Sequence, residues 1–215
     1  MDDTELLDLL SLDDAALQNT YLFHLPPDPT HIRLPALLWA RIRQDLNEYT
    51  VTRDVDGVNA VTWYYRQFSE VARARYTPES CARQLHSMMA DYFLGTWSDR
   101  VKPLKLYKKK IGTYPDAMRG VPPQPLAFSS SKSNLRKLNE LPYHLALSGR
   151  YDELLDETMT NFNWLYQKSK AFSIHDILDD FKFGLQHITK DCETYKKVGA
   201  NVFQSFLNLL VGMDV

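Results

Sequence analysis

The chain has 215 residues, 44% of them apolar and 24% charged, with 8 glycines and 11 prolines. Such a chain can bury a sizeable core, which excludes wholesale disorder and collagen-like or low-complexity architectures. Its formal charge of −2 hides a segregation: residues 1–99 hold 8 Arg, no Lys and 15 acids, residues 100–150 hold 11 basic and 2 acidic residues, and residues 151–215 hold 6 and 10. An acidic, a basic and an acidic stretch attract one another within about 8 Å at physiological salt, so internal neutralisation of the basic stretch is expected.

Apolar spacing of three and four predicts two short helices over residues 4–10 and 13–23, with Ser11 ahead of Asp13 and Asp14 as an N-cap-like opening. The cluster Pro26-Pro27-Asp28-Pro29 breaks the chain, and Leu34, Leu37, Leu38, Ile42 and Leu46 mark a third helix through residue 48. Tyr49 to Arg53 and Val58 to Trp63 are rich in β-branched and aromatic residues, and the Asp56-Gly57 pair between them suits a tight hairpin, so a small β-wing is expected. Phe68, Val71, Ala72 and Tyr76 form the next helical stripe. Thr77-Pro78-Glu79 then reads as N-cap, first-position proline and first-turn acid of a helix reaching Phe93.

The predicted fold is therefore mainly α: a winged-helix domain over residues 1–99 with a two-stranded β-wing, a basic Pro/Ser-containing linker over 100–133, and a helical bundle or hairpin domain over 134–215. The linker assignment rests on lost periodicity, five prolines and Ser129-Ser130-Ser131. Beyond it, helical stripes run from Leu135 to Leu141, through Leu154 and Leu155, Phe162 to Tyr166, and Ile174 to Ile188, and again through Val198, Val202, Phe206 and Leu209. Gly149 reads as a helix end, Ser173 as a cap, and Pro142 as the first turn of a helix that carries His144. No repeat of 30–45 residues marks a named solenoid.

Chemistry is sparse. Neither Gly-x-x-x-x-Gly-Lys-Ser/Thr nor Gly-x-Gly-x-x-Gly occurs, nor do a Gly-x-Ser-x-Gly elbow, Cys-x-x-Cys or His-Glu-x-x-His. No catalytic residue is assigned and the chain reads as a non-enzyme. His175 with Asp179 and His187 with Asp191 share helix faces, but a pair is half a metal site, and a solvated or capping role is the reading adopted. His144 reads as a buried, satisfied histidine. Two cysteines, Cys81 and Cys192, cannot build a disulfide framework, and neither a leader nor a long uncharged apolar stretch occurs, so a cytoplasmic setting without a membrane is expected.

A winged helix raises DNA binding. Helix 3 offers Arg41 and Arg43 but also Asp45 and Glu48 within an acidic module, and the run from Lys102 to Lys110 has no aromatic platform. Nucleic-acid binding through helix 3 or residues 102–110 thus stands as the alternative function, ranked second.

The order of several motifs carries a resemblance. Leu6-Leu-Asp-Leu-Leu-Ser-Leu-Asp-Asp14, Tyr21 to Pro27, Arg33-Leu-Pro-Ala-Leu-Leu-Trp-Ala-Arg-Ile-Arg43, Trp63-Tyr-Tyr-Arg-Gln-Phe68 and Asp91 to Trp97 resemble the winged-helix region of NACHT and WD-repeat domain-containing proteins. Asn139-Glu-Leu-Pro-Tyr-His-Leu-Ala-Leu-Ser-Gly149 resembles their helical segment leading toward the β-propeller. The resemblance implies a segment of a signal-transducing ATPase whose partners are NACHT and WD-repeat domains, in the same chain or in partner proteins. ATP or ADP would be bound only with a NACHT module present. In related NACHT proteins a winged-helix histidine ahead of a Phe-x-Glu helix start contacts ADP. Phe68 and Glu70 place Tyr65 at that position, with Arg66 beside it, as the candidate nucleotide-sensing residues. Tyrosine is a departure there: its hydroxyl donates a hydrogen bond without histidine's charge option. For Arg66, pairing within the acidic module is the preferred reading.

Overall fold

The computed structural model describes residues 1–22, 26–103, 107–108, 112–113 and 116–191. Among these the fold is mainly helical, and its sheets are two-stranded. The chain divides into two compact units, Met1–Cys81 with Asp91–Gln124, and Ala82–Ala90 with the residues from Pro125 on.

In the first unit, α1 (Asp3–Leu12) opens with a capping box: Asp2 Oδ1 accepts from Glu5 N at 2.7 Å and Glu5 Oε2 from Asp2 N at 3.3 Å. The cap of α2 (Asp14–Thr20) is Asp13, which accepts from the amides of Ala15 and Ala16. Ser11 is not a cap. It lies inside α1, donates to Leu7 O at 2.6 Å and accepts from Leu34 N at 3.1 Å, so a buried amide from a later segment is satisfied through it. Ile32 N donates to Met118 O and Met118 N to Thr30 O, both at 2.9 Å. These bonds help bring Ala117 into a core with Leu17, Tyr21, Ile32 and Leu34, against which Leu7, Leu10 and Trp39 pack.

The helix α3 (Ala36–Asp45) and a 3-10 turn, Asn47–Tyr49, lead into β1 (Thr50–Val55), which pairs antiparallel with β2 (Val58–Trp63). Asp56 and Gly57 take consecutive left-handed φ values of 54° and 74°, as the hairpin reading of Asp-Gly requires. Next come α4 (Arg66–Tyr76) and α5 (Glu79–Leu94). The N-cap of α5 is Pro78, one residue later than the sequence reading, because Thr77 closes α4: its hydroxyl donates to Arg73 O at 2.9 Å. Gly95, at φ 76°, ends α5, whose residues are divided between the two units. The stretch after it holds β3 (Val101–Lys102) paired with β6 (Ala117–Met118), and β4 (Tyr107–Lys108) paired with β5 (Gly112–Thr113).

The second unit continues with the hairpin β7 (Ala127–Ser129) and β8 (Lys132–Ser133), then α6 (Leu135–Ser148), capped by Asn134 Oδ1 on Lys137 N at 3.0 Å. Gly149 ends α6 in the left-handed conformation at φ 76°. Pro142 sits in the interior of this helix, not at a first turn. A proline there leaves the carbonyl four residues back, Leu138 O, without its helical donor, and Lys168 Nζ donates to that oxygen at 2.9 Å. The helix survives its proline because a side chain from another helix fills the missing bond.

Helix α7 (Tyr151–Leu154) runs into a π turn, Leu155–Met159, closed by Thr160 N on Leu155 O at 2.9 Å. Asn161 caps α8 (Phe162–Ala171), and Ser173 with Asp176 caps α9 (Ile174–Asp191). Leu138, Leu145, Leu154, Trp164, Phe181 and Ile188 are buried in this unit. The stripe expected through Val198 to Leu209 lies outside the described residues.

Candidate functional site

The residues singled out for nucleotide sensing lie where the β1–β2 hairpin gives way to α4. Tyr64 N donates to Tyr49 O at 2.8 Å as β2 ends, and Tyr65, with an extended backbone, is the N-cap of α4, where its side chain makes no capping bond. Aromatic rings gather at this junction. Tyr65 meets Tyr64 edge-on at 4.6 Å and Phe68 at 5.9 Å, and Phe68 also meets Tyr49 at 5.5 Å and Trp63 at 6.2 Å. Tyr65 is 57% exposed. Arg66 Nε donates to Glu70 Oε1 at 2.7 Å, one turn along α4, on the open surface. Arg66 is thus paired within its own helix, in line with the preferred reading.

Around this junction the apolar stripes stay uncovered. Neither α3 nor α4 contains a buried residue. Leu37 and Val71 are each 64% exposed and Tyr76 is 69% exposed. Arg43 of α3 is engaged, with Nη1 on Thr50 Oγ1 at 2.8 Å, Nη2 on Thr52 Oγ1 at 3.3 Å, and Nε 3.5 Å from Asp3 Oδ1.

The first unit also holds buried charges that sequence reasoning did not find. Arg33 Nη2 donates to Asp8 Oδ1 at 2.7 Å, and Arg33 Nη1 to the carbonyls of Arg119 and Gly120. Gly120, at φ 60°, leaves room for this approach, since a Cβ there would stand 3.1 Å from Arg33 Cδ. Burial raises the Asp8 carboxyl even though Arg33 pulls against it, and burial with the Asp8 charge raises the Tyr92 phenol, whose hydroxyl lies 3.3 Å from Asp8 Oδ2. Arg119, fully buried, donates to Asp14 Oδ1 at 2.7 Å, which also takes Lys102 Nζ at 2.9 Å. Two cations of the basic stretch are therefore neutralised by the acidic first stretch, whereas residues 104–106 and 109–111 of that stretch lie outside the described residues. Pairs 88 and 105 residues apart leave no local pattern to read.

In the second unit His144 is buried and satisfied, with Nε2 3.2 Å from Glu140 Oε2 and Nδ1 2.8 Å from His86 Nδ1. Lys168, 1% exposed, is paired with Asp180, whose carboxyl is pushed up to about 6 by burial against the pull of the ammonium. Of the His/Asp pairs read as solvated or capping, Asp179 accepts from Lys182 Nζ at 3.0 Å and His187 Nδ1 lies 2.8 Å from Phe183 O. Among the described residues no group of three or more His, Cys, Asp or Glu side chains is placed to hold a metal ion, and no helix is long and apolar enough to cross a membrane.

No family profile matches the chain, and no solved structure matches it. Among curated proteins it is 42% identical over 188 residues to human NACHT domain- and WD repeat-containing protein 1 and 40% identical over 190 residues to the mouse protein of that name. It is also 29% identical over 214 residues to mouse NACHT and WD repeat domain-containing protein 2. Each match takes in 87% of this chain but spans 12% of the relative's length. The chain is a homologue of one segment of the NACHT and WD-repeat domain-containing protein family.

Proposed function

We propose that this chain is a non-catalytic regulatory segment: a winged-helix module over residues 1–99, a basic connector over 100–133 and a helical module over 134–215. It couples the nucleotide state of a NACHT module to assembly through WD repeats, and it works in the cytoplasm. The observation that carries the reading is the exposure of the apolar side chains of α3 and α4, Leu37, Val71 and Tyr76 foremost. A regular apolar stripe left in water is a surface awaiting cover, since each Å² buried contributes roughly 25 cal/mol.

In this reading the NACHT module supplies the cover. Tyr65 and Arg66, at the start of α4, face its nucleotide, the tyrosine hydroxyl donating to phosphate oxygens and Arg66 donating through its Nη groups while its Nε stays on Glu70. Loss of those contacts on exchange of the nucleotide changes how strongly the segment holds the module, which shifts the population able to assemble. The relatives' names, which join NACHT and WD repeats in one polypeptide, support the choice of partners.

Calorimetry tests it with the full chain and the NACHT module of the human relative. The chain alone is expected to bind neither ATP nor ADP, to bind the module with an affinity that depends on the nucleotide present, and to lose most of that dependence as Tyr65→Phe with Arg66→Ala. Tight ATP binding by the chain alone, or binding to the module indifferent to nucleotide, overturns it.

A further inference from the structure

Within the second unit, residues 82–90 of α5 meet α6 through two imidazoles. The Nδ1 atoms of His86 and His144 lie 2.8 Å apart, with the rings inclined by 32°. Two such nitrogens approach so closely only when one carries a proton and the other presents its lone pair. His144 is 4% exposed and its Nε2 faces Glu140 Oε2 at 3.2 Å, which makes Nε2 a donor. Burial pushes the Glu140 carboxyl up, but the His144 hydrogen bond and the Arg136 guanidinium, 2.5 Å away, outweigh it and hold the carboxyl at about 2. Glu140 is thus a carboxylate throughout the range in which histidine titrates.

With its Nε2–H committed to Glu140, His144 has two states. Neutral, it accepts the Nδ1–H of His86; charged, it donates its own Nδ1–H to His86. Either way a single proton lies between the two Nδ1 atoms, and a second one sets two N–H groups head to head at 2.8 Å. We propose that the His86–His144 pair is an acid-sensitive clamp, fastening residues 82–90 of α5 to α6 while one proton is shared and releasing them when each ring carries its own.

Other charged groups stand nearby. Arg83 of α5 approaches Gly149 at the end of α6, and Arg150 donates to Ser87 O at 3.2 Å while paired with Glu153. From α9, His187 reaches this neighbourhood through Phe183, which stacks on Tyr143 at 5.2 Å, and its own Nδ1 is held at Phe183 O. An unfolded chain takes protons on both imidazoles below about pH 6.5. If the folded pair accepts one fewer, the folding equilibrium constant drops about tenfold for each pH unit below that point. Asp180, with its raised pKa, acts in the opposite direction, so the comparison must be between chains that both retain it.

The test is urea unfolding of the full chain from about pH 7.5 down to about pH 5, for wild type and for His86→Asn, whose amide oxygen stands where Nδ1 stood and does not titrate. The expected result is an acid loss of up to about tenfold per pH unit in the wild type relative to the variant. Imidazole ¹⁵N spectra of the wild type are read alongside, and a single proton shared by the two Nδ1 atoms is expected across that range. Parallel unfolding profiles overturn the clamp. So do two imidazoles that titrate together as independent groups, a readout that stands even if the variant fails to fold.

Discussion

Helices α3 and α4 of the first unit and helices α6, α8 and α9 of the second all carry apolar residues at helical spacing, yet their fates differ. In the second unit the stripes are sealed by one another: Leu138 and Leu145, Trp164 and Leu165, Ile177, Phe181 and Ile188 are all buried. In the first, the buried cluster is Leu17, Tyr21, Ile32, Leu34 and Ala117, to which α3 adds the partly buried Trp39, while Leu37, Leu38 and Ile42 of α3 and Phe68, Val71 and Tyr76 of α4 stay exposed. Periodicity therefore reports that a helix has an apolar face, and says nothing of what covers it. Where the chain supplies no cover, the face is a candidate contact for something else.

The sharpest way to break the sealed side is at Lys168. Its ammonium satisfies both Asp180 and the Leu138 carbonyl that Pro142 leaves open. Removing it strands a buried carboxylate and an orphaned backbone oxygen, so Lys168→Met is expected to lose about 3–5 kcal/mol at neutral pH, read from the urea midpoint at unchanged m value. Adding Asp180→Asn should recover part of that loss, because the stranded charge is then gone. A loss below about 1 kcal/mol would show that the pair is an ornament of the surface, against its burial.

The Asp180 carboxyl gives a second handle, with a definite sign. Its folded pKa is raised to about 6, above the unfolded value near 3.9, so the folded state binds more protons between those values. This contribution strengthens as pH falls from 7 toward 4 and is lost as pH rises through 6, by on the order of 2–3 kcal/mol. Comparing wild type with Asp180→Asn at about pH 7 and about pH 4.5 isolates it. A wild type that weakens relative to the variant over that interval reverses the assignment.

In the first unit the buried charge is Asp8, held by Arg33, which also serves the carbonyls of Arg119 and Gly120. Arg33 retains partial access to solvent, so water can replace some of its bonds. Arg33→Ala is accordingly expected to cost about 2 kcal/mol, less than the loss of Lys168, as measured by the same unfolding experiment. An effect as large as that of Lys168 would place the two units' buried charges on an equal footing.

What the sequence disclosed follows from range. The β1–β2 hairpin is legible because Asp56-Gly57 takes its left-handed conformation locally, and Gly149 and Ser173 mark helix ends through bonds within a few residues. Thr77 and Ser11 misled because a hydroxyl can cap forward, close a preceding turn or serve a distant amide, and only the surroundings decide which. Pro142 misled for a related reason: its tolerance depends on Lys168, 26 positions on, and no local pattern announces that. Tyr65 and Arg66, reached through the resemblance, lie at the N-cap and first residue of α4, two positions earlier than a helix start at Phe68 implies, whereas Arg33, Arg119 and Lys168 escape local reading because each finds its acid only after folding.

The open side of the comparison yields the smallest expected effect and the most direct check on the proposed coupling role. Leu37→Ser with Val71→Ser replaces two exposed apolar side chains, so little packing is lost, and the helix-propensity penalty together with it comes to no more than about 1 kcal/mol. Unfolding should therefore be almost unchanged, while affinity for the NACHT module of the relative, followed by calorimetry, should fall by about tenfold or more if these side chains sit at the centre of the contact. If the double variant instead loses the 2–5 kcal/mol typical of a buried leucine, the stripe is covered from within this chain. The exposure that motivates the coupling role would then be gone, and with it the distinction between a segment that stabilises itself and one built to be completed by a partner.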